Sequence, residues 1–390
     1  MENIKIAFCG TRGIPAAYGG FETAVDEITK KIIVQNQGTD CYIFCRSHSG
    51  KIIEDDFEGR KRIFIKGSDN RKLDTFLSSI NTGLYLLKNR KKFDYVFWFN
   101  NANFFGILLT KIAGIPMAIN TDGLEWRRAK WSLPFKAFYF LSSFLICLIC
   151  RNLISDSISI QTYYKKRFFK KTKFIPYGSV NIPNEFDLSD QMSILAKHGV
   201  EYGKFYLQIT RFEPDNLPLA IVKAFSETNL YKEGYKFILI GYKDSTKYSQ
   251  EIMKLHNQSG VYIFPANYNI KELHILRKSA YCYVHGNSVG GTNPALLEAM
   301  ISCKRVMAID GPFSKEVLGP QLGNYFKETT LKEDFLKSQL MNDQSLGMSI
   351  RIKEKYNWDE VSLAYLSLAE RSKVQNNYSK NIKGDFLELD

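Results

Sequence analysis

Residues 285–300, HGNSVGGTNPALLEAM, join a polar, glycine-paired loop to what reads as the start of a helix. Asn293 followed by Pro294 has the form of an N-cap and a first helical residue. Backbone N–H groups and the positive end of the helix dipole suit a phosphate there, and Gly290, Gly291, Thr292 and Asn293 are the candidates to hold it. Leu296, Leu297 and Met300 share a face fit for a core. Glu298 lies about 200° around the helix from Leu296, where it can accept hydrogen bonds from a ribose hydroxyl. Arg211, in ITRFEPDN (209–216), follows an apolar run and can neutralise a pyrophosphate. In outline this is a nucleotide-diphosphate site. A capped helix with a solvated glutamate and a surface arginine in a βα loop fit the same spacing. His285, at a strand end, can bond a substrate, donate to a leaving oxygen, or serve structure alone.

Two stretches in the first half add candidates. GTRGIPAAYGGFE (10–22) supplies Gly10, Gly13, Gly19 and Gly20 for close backbone approach to a ligand, and Arg12 for charge. It does not make G-x-G-x-x-G, so it is weak evidence for a dinucleotide. In NTDGLEWRRAKW (120–131), Asp122 and Glu125 follow another apolar run, where a carboxylate can take a proton from an attacking hydroxyl; helix-capping and surface acids are the alternative. No two aspartates are separated by one residue and the histidines are scattered, so metal chemistry has little to work with.

The elements that must position these residues alternate. Strand-like runs at 4–10, 41–45, 62–66, 95–99, 116–120, 153–157 and 173–178 enclose helical patterns at 21–36 and 74–89. After a polar stretch at 179–190, strands at 204–210, 235–241, 261–266, 281–286 and 305–310 alternate with helices at 217–227, 246–257, 270–280, 294–302 and 313–318. The expected class is α/β, with two Rossmann-like domains of parallel sheet, ligands lying beyond the carboxyl ends of the strands. A length of 390 residues favours two cores over one. The expected divisions are 1–180, 190–355, a last helix at 356–373 and a polar tail at 374–390.

Composition sets outer limits. The apolar share of 45% and charged share of 24% are ordinary for a globular protein. No apolar run is long enough to span a bilayer, and the first residues lack a signal-peptide layout. Seven cysteines, most in apolar runs, read as reduced thiols; the C-x-x-C of Cys147 and Cys150 has no second pair to make a zinc site. The net charge of +13 would suit nucleic acid, anionic lipid or a phosphorylated substrate. It concentrates at 125–131 and 163–173, on either side of the uncharged run 137–150, which reads either as a core helix or as a helix lying against headgroups.

GTRGIPAAYGGFET, DGLEWRRAKW, IPYG, RFEPDN, HGNSVGGTNPALLEAM and YNWDEV, in that order, resemble the bacterial rhamnosyltransferases of glycosyltransferase family four, enzymes of capsule and cell-wall polysaccharide assembly. The resemblance implies a GT-B fold, its two domains facing across a cleft. It implies a retaining, metal-independent transfer without a cofactor, from a nucleotide sugar, dTDP-β-L-rhamnose, to a sugar on a polyprenyl pyrophosphate. It also implies a cytoplasmic enzyme, peripheral at the inner membrane face, with Lys165, Lys166, Lys170 and Lys171 beside an apolar helix. By position, Glu298 matches the second acid of an E-x7-E motif, Arg211 the pyrophosphate arginine, and Asp122 an acceptor-side acid; Gly19 and Gly20 fall in the loop near the reacting phosphate. The first acid of E-x7-E falls on Gly290, and the lysine that usually follows the arginine falls on Asn216. Both departures look similar to the subfamily's own pattern. They leave half of the pyrophosphate charge to other groups. Rival readings are a UDP- or GDP-hexose donor, a dinucleotide-dependent oxidoreductase, and a nucleic-acid-binding protein; the last leaves the glycine-loop motifs without a purpose.

Overall fold

The computed structural model describes residues 3–16, 19–70, 73–121, 123–129, 131–179 and 187–387, with side chains as far as residue 374. The chain divides into two compact units. Residues 1–126, 132–177 and 358–390 form the first, and residues 127–131 and 178–357 the second.

The first unit runs β1 (Ile4–Cys9), α1 (Gly20–Gln35), β2 (Thr39–Ser47), β3 (Ile53–Phe57), β4 (Arg60–Lys66), α2 (Asp74–Lys88), β5 (Tyr95–Phe99), α3 (Phe104–Ile112), β6 (Met117–Asn120), α4 (Leu133–Ile149), β7 (Asn152–Ser155), α5 (Ile158–Arg167) and β8 (Lys173–Phe174). Its sheet has the order β3-β4-β2-β1-β5-β6-β7-β8, parallel throughout except where β3 meets β4. The central strands bury both faces, which is why β5, YVFWF, is apolar at every position and buried at all of them. Strand β3, IEDDF, was not expected from the sequence. It is a mostly exposed edge strand whose acids cover the open ladder, Arg62 of β4 holding Asp55 with bonds of 2.8 and 2.6 Å.

The second unit contains α6 (Leu188–Lys197), β9 (Phe205–Ile209), α7 (Pro218–Ser226), β10 (Lys236–Tyr242), α8 (Lys247–Met253), β11 (Val261–Pro265), α9 (Ile270–Ser279), β12 (Cys282–His285), α10 (Pro294–Ser302), β13 (Val306–Ile309), α11 (Pro312–Leu318), β14 (Asn324–Phe326), α12 (Leu331–Ser338) and α13 (Ser345–Lys355). The order β11-β10-β9-β12-β13-β14 is wholly parallel. The chain winds outward from β9 in one direction and then, from β12, in the other. The strand order therefore reverses between β9 and β12, and a crevice opens at the carboxyl ends of that pair. Strand β14 and helices α12 and α13 were not foreseen. Helix α6 begins in the stretch read as a polar linker, with Asp187 accepting from Ser189 N–H at 3.2 Å; residues 180–186 of that stretch lie outside the described residues.

Helix α14 (Trp358–Leu387) runs on past Arg371, where the apolar pattern fades, into the residues expected as a tail. Trp358, Val361, Tyr365, Leu366 and Ala369 complete the core of the first unit. The Tyr365 ring lies 4.9 Å from that of Phe97 and 6.1 Å from that of Phe99, and its hydroxyl accepts from Asn120 Nδ2 at 2.9 Å. At the helix start Asp359 pairs with Lys31 at 2.9 Å.

Candidate functional site

The loops after β9 and β12 interlock at the crevice of the second unit. Ser288 donates both N–H and Oγ–H to the carbonyl of Asp215, each at 2.9 Å. Gly286 has to be glycine for the loops to meet, because a Cβ there would fall 2.3 Å from the carbonyl oxygen of Asn216. Asn216 is buried; its Nδ2 donates to the Arg211 carbonyl at 2.9 Å, so the side chain at this position folds the loop and carries no charge. Arg211 itself is half exposed and lies 3.5 Å from Glu213 Oε1.

Beyond β12 the chain lines a shallow open recess with His285, Asn287, Val289, Gly290, Gly291 and Asn293, faced by Phe313, Ser314 and Val317 of α11. Asn293 caps α10, its side chain accepting from Ala295 N–H at 3.0 Å, with Pro294 at the first position. Thr292 is buried. Gly290 has φ +150°, a backbone conformation that favours glycine. Leu296, Leu297 and Met300 enter the core, whereas Glu298 stays partly exposed.

Glu298 has a partner that sequence reasoning missed. Arg277 of α9, almost wholly buried, donates through Nη2 to Glu298 Oε2. A carboxylate has several acceptor positions, so the pair fixes the group while leaving Oε1 for a hydroxyl donor. The signal for Arg277 was a charged residue on the inward face of α9, one position from Leu276.

Burial pushes the His285 imidazole down to about 3, which keeps it neutral at physiological pH. A neutral imidazole keeps one ring N–H to donate and one ring nitrogen to accept, so it can still bond a substrate. His274, bonded to Ser302 at 2.8 Å, is pushed down to about 4 by burial and then by Arg277. Both values lie below the unfolded histidine value of about 6.5. Between about pH 4 and 6.5 the unfolded chain therefore binds protons that the folded chain refuses, and stability falls as pH falls. The urea midpoint is expected to drop across that window, and a His274→Gln/His285→Gln double variant to show a flatter slope. An unchanged slope would rule out these two histidines as its source.

The first unit has its own reversal, between β1 and β5. Asn103 Nδ2 donates there to the carbonyls of Gly10 and Phe99, at 3.2 and 2.8 Å. Arg12 is exposed, and its N–H donates to Glu22 Oε1 at 3.0 Å. Gly19, at φ +127°, precedes α1, and a Cβ there would stand 2.0 Å from Glu22 Oε2; Gly20 opens the helix. Glu125 is buried within a single 3-10 turn. Asp122, the acid assigned to the acceptor side, lies outside the described residues.

Helix α4 buries Tyr139, Ser142, Ser143, Ile146 and Cys147 and turns other large apolar groups outward. Ser142 and Ser143 are buried, with Ser143 Oγ accepting from Asn101 Nδ2 at 2.9 Å, while Leu133, Phe140, Leu141, Phe144 and Leu148 are exposed. Phe168 packs against Phe140 and Phe144, so the end of α5 lies beside this face. Phe169, 91% exposed, follows, amid the exposed Lys165, Lys166, Arg167 and Lys171; Lys170 instead donates to the Cys150 carbonyl at 2.5 Å. The cysteines 147 and 150 are buried free thiols. Among the described residues no helix is long and apolar enough to cross a membrane.

Residues 3–180 match the family model described as Domain of unknown function (DUF1972). No curated protein matches the chain. Solved structures match nearly its whole length. A sucrose-phosphate synthase from Thermosynechococcus elongatus superposes with a TM-score of 0.75 at 15% identity, over 95% of this chain and 99% of that one. Anabaena Alr3699/HepE in complex with UDP gives 0.67 at 12%, over 95% and 100%. A trehalose-6-phosphate protein of E. coli bound with UDP-2-fluoro glucose gives 0.68 at 9%, over 94% and 99%. The fold is GT-B. Identities this low carry the GT-B architecture and no detail of chemistry.

Proposed function

We propose that this GT-B chain is a retaining, metal-independent hexosyltransferase, moving L-rhamnose from dTDP-β-L-rhamnose to a sugar on a polyprenyl pyrophosphate in capsule or cell-wall polysaccharide assembly. The observation that carries the reading is the crevice between β9 and β12, where Arg211, the glycine loop before α10 and the Arg277-held Glu298 belong to adjoining elements. In this reading Glu298 takes a ribose hydroxyl, and the loop and Arg211 take the diphosphate. The acceptor hydroxyl attacks the anomeric carbon as the bond to the leaving phosphate breaks, and its proton passes to that phosphate on the same face or to Asp122. Charge develops on the leaving group, so stabilising it is the main catalytic contribution. Incubation with dTDP-rhamnose and lipid-pyrophosphate saccharides should release dTDP, undiminished by EDTA. Release of UDP or GDP from the corresponding hexose donors would select the second reading, which the UDP and UDP-sugar in structures of the same fold favour. Release from no donor ends both.

A lipid-linked acceptor requires the enzyme to reach a membrane face from the cytoplasm, and the outward apolar groups of α4 with the cations of α5 supply a surface for it. The protein is expected to sediment with anionic vesicles at low salt and to be released as salt rises. A Lys165→Ala/Lys166→Ala/Arg167→Ala/Lys171→Ala variant should stay in the supernatant; co-sedimentation at the unaltered level would remove the membrane from the proposal.

A further inference from the structure

Residues 127–131 are embedded in the first half of the sequence but pack with the second unit. The N–H of Ala129 donates to both carboxylate oxygens of Asp215, at 3.1 and 3.3 Å. This holds the preceding residue, Arg128, at the crevice. Its Nη1 lies 4.0 Å from Glu213 Oε2, while Glu213 Oε1 lies 3.5 Å from Arg211 Nη1. One carboxylate thus stands between two guanidinium groups, which would otherwise repel each other. The Arg128 side chain is 13% exposed, that of Arg211 50%. A Cβ built on Gly290 would stand 3.8 Å from Arg128 Nη2.

These contacts bear on both departures noted in the sequence. Asn216 stands where a lysine would bring a second positive charge, and it is buried and uncharged. Gly290 stands where an acid would be, and an acid there would lie against Arg128 and offset its charge. The two replacements act in one direction: one withholds a second cation from the loop after β9, and the other leaves the charge of Arg128 unopposed by an acid at position 290. We propose that Arg128 is the second diphosphate-binding cation of the donor site, acting with Arg211 and oriented by Glu213. The assignment rests on the reading of this crevice as a nucleotide-sugar site. Two guanidinium groups then match the two negative charges of a nucleoside diphosphate ester, and their planar forks suit phosphate oxygens.

The test separates the diphosphate from the nucleoside. Titration calorimetry at low salt compares thymidine with dTDP, and uridine with UDP, on the wild-type chain and on Arg128→Ala, Arg128→Gln, Arg128→Lys and Arg211→Ala. The ratio of diphosphate to nucleoside affinity is expected to fall about ten- to hundredfold in Arg128→Ala and Arg128→Gln. Nucleoside affinity should be unchanged, which certifies folding, and Arg128→Lys should keep part of the ratio. If Arg211→Ala lowers the ratio and both neutral Arg128 variants leave it intact, the assignment is overturned and the donor-site reading stands. If no diphosphate binds the wild-type chain, the donor-site reading falls, and the assignment with it.

Discussion

Arg211→Ala is expected to lower turnover by about two to three orders of magnitude, the range seen when a preorganised donor to developing charge is removed. The side chain is half exposed and lies 3.5 Å from Glu213, so its loss should leave the fold almost unaffected. A surface change of this kind shifts stability by roughly 0.5 kcal/mol or less. The effect should fall mainly on kcat, because charge on the leaving phosphate grows as the sugar bond breaks and is smaller in the bound ground state. Arg211→Lys should recover part of the rate, a point charge replacing a fork. Steady-state kinetics with the donor that gives release decides it. A kcat within a few-fold of the unaltered enzyme would show that Arg211 does not face the leaving group.

Tyr365→Ala should destabilise the first unit by about 3–5 kcal/mol, as expected for deleting a large buried aromatic side chain. Tyr365 is 1% exposed, packs on Phe97 and Phe99, and accepts the hydrogen bond of Asn120 at the end of β6. Tyr365→Phe keeps the ring and loses only that bond, worth about 0.5–1.5 kcal/mol. Urea unfolding followed by tryptophan fluorescence reports it directly, Trp98 and Trp358 lying in the same unit. A loss for alanine no larger than that for phenylalanine would mean α14 is dispensable to this core.

The parts of the fold legible in the sequence were those whose apolar pattern repeats. The alternation of strand and helix implied two α/β domains of parallel sheet because parallel strands buried on both faces must be apolar throughout; GT-B was implied only by the resemblance of the motifs. Strand β3 escaped because an edge strand of Glu54, Asp55 and Asp56 has neither alternation nor apolar content. Helix α14 was cut short because its later residues are polar, and nothing in their spacing marks how far a helix continues. In the candidate site, glycines and caps were visible because each is local: Asn293, Pro294 and Gly290 act through their own backbone. The partners were not. Arg277 meets Glu298 from another helix, and Arg128 looked like one more cation in EWRRAKW until packing placed it with the second unit. Helix α4 fitted both readings of its apolar run, since Ile146 and Cys147 face a core while Phe144 and Leu148 face outward.

The core of the first unit closes with residues near the far end of the chain. During synthesis, β1 to β8 leave the ribosome before the helix that covers Phe97 and Phe99, and residues 178–357 of the second unit must be made in between. At about 5–20 residues per second, that apolar surface waits on the order of ten seconds or more for its cover. A chain cut before Trp358 lacks the residues that close this core and leaves Phe97 and Phe99 without that cover, the kind of exposed apolar surface that invites aggregation. Emergence of Trp358–Ala369, more than emergence of the amino-terminal half, is the event that completes the amino-terminal core.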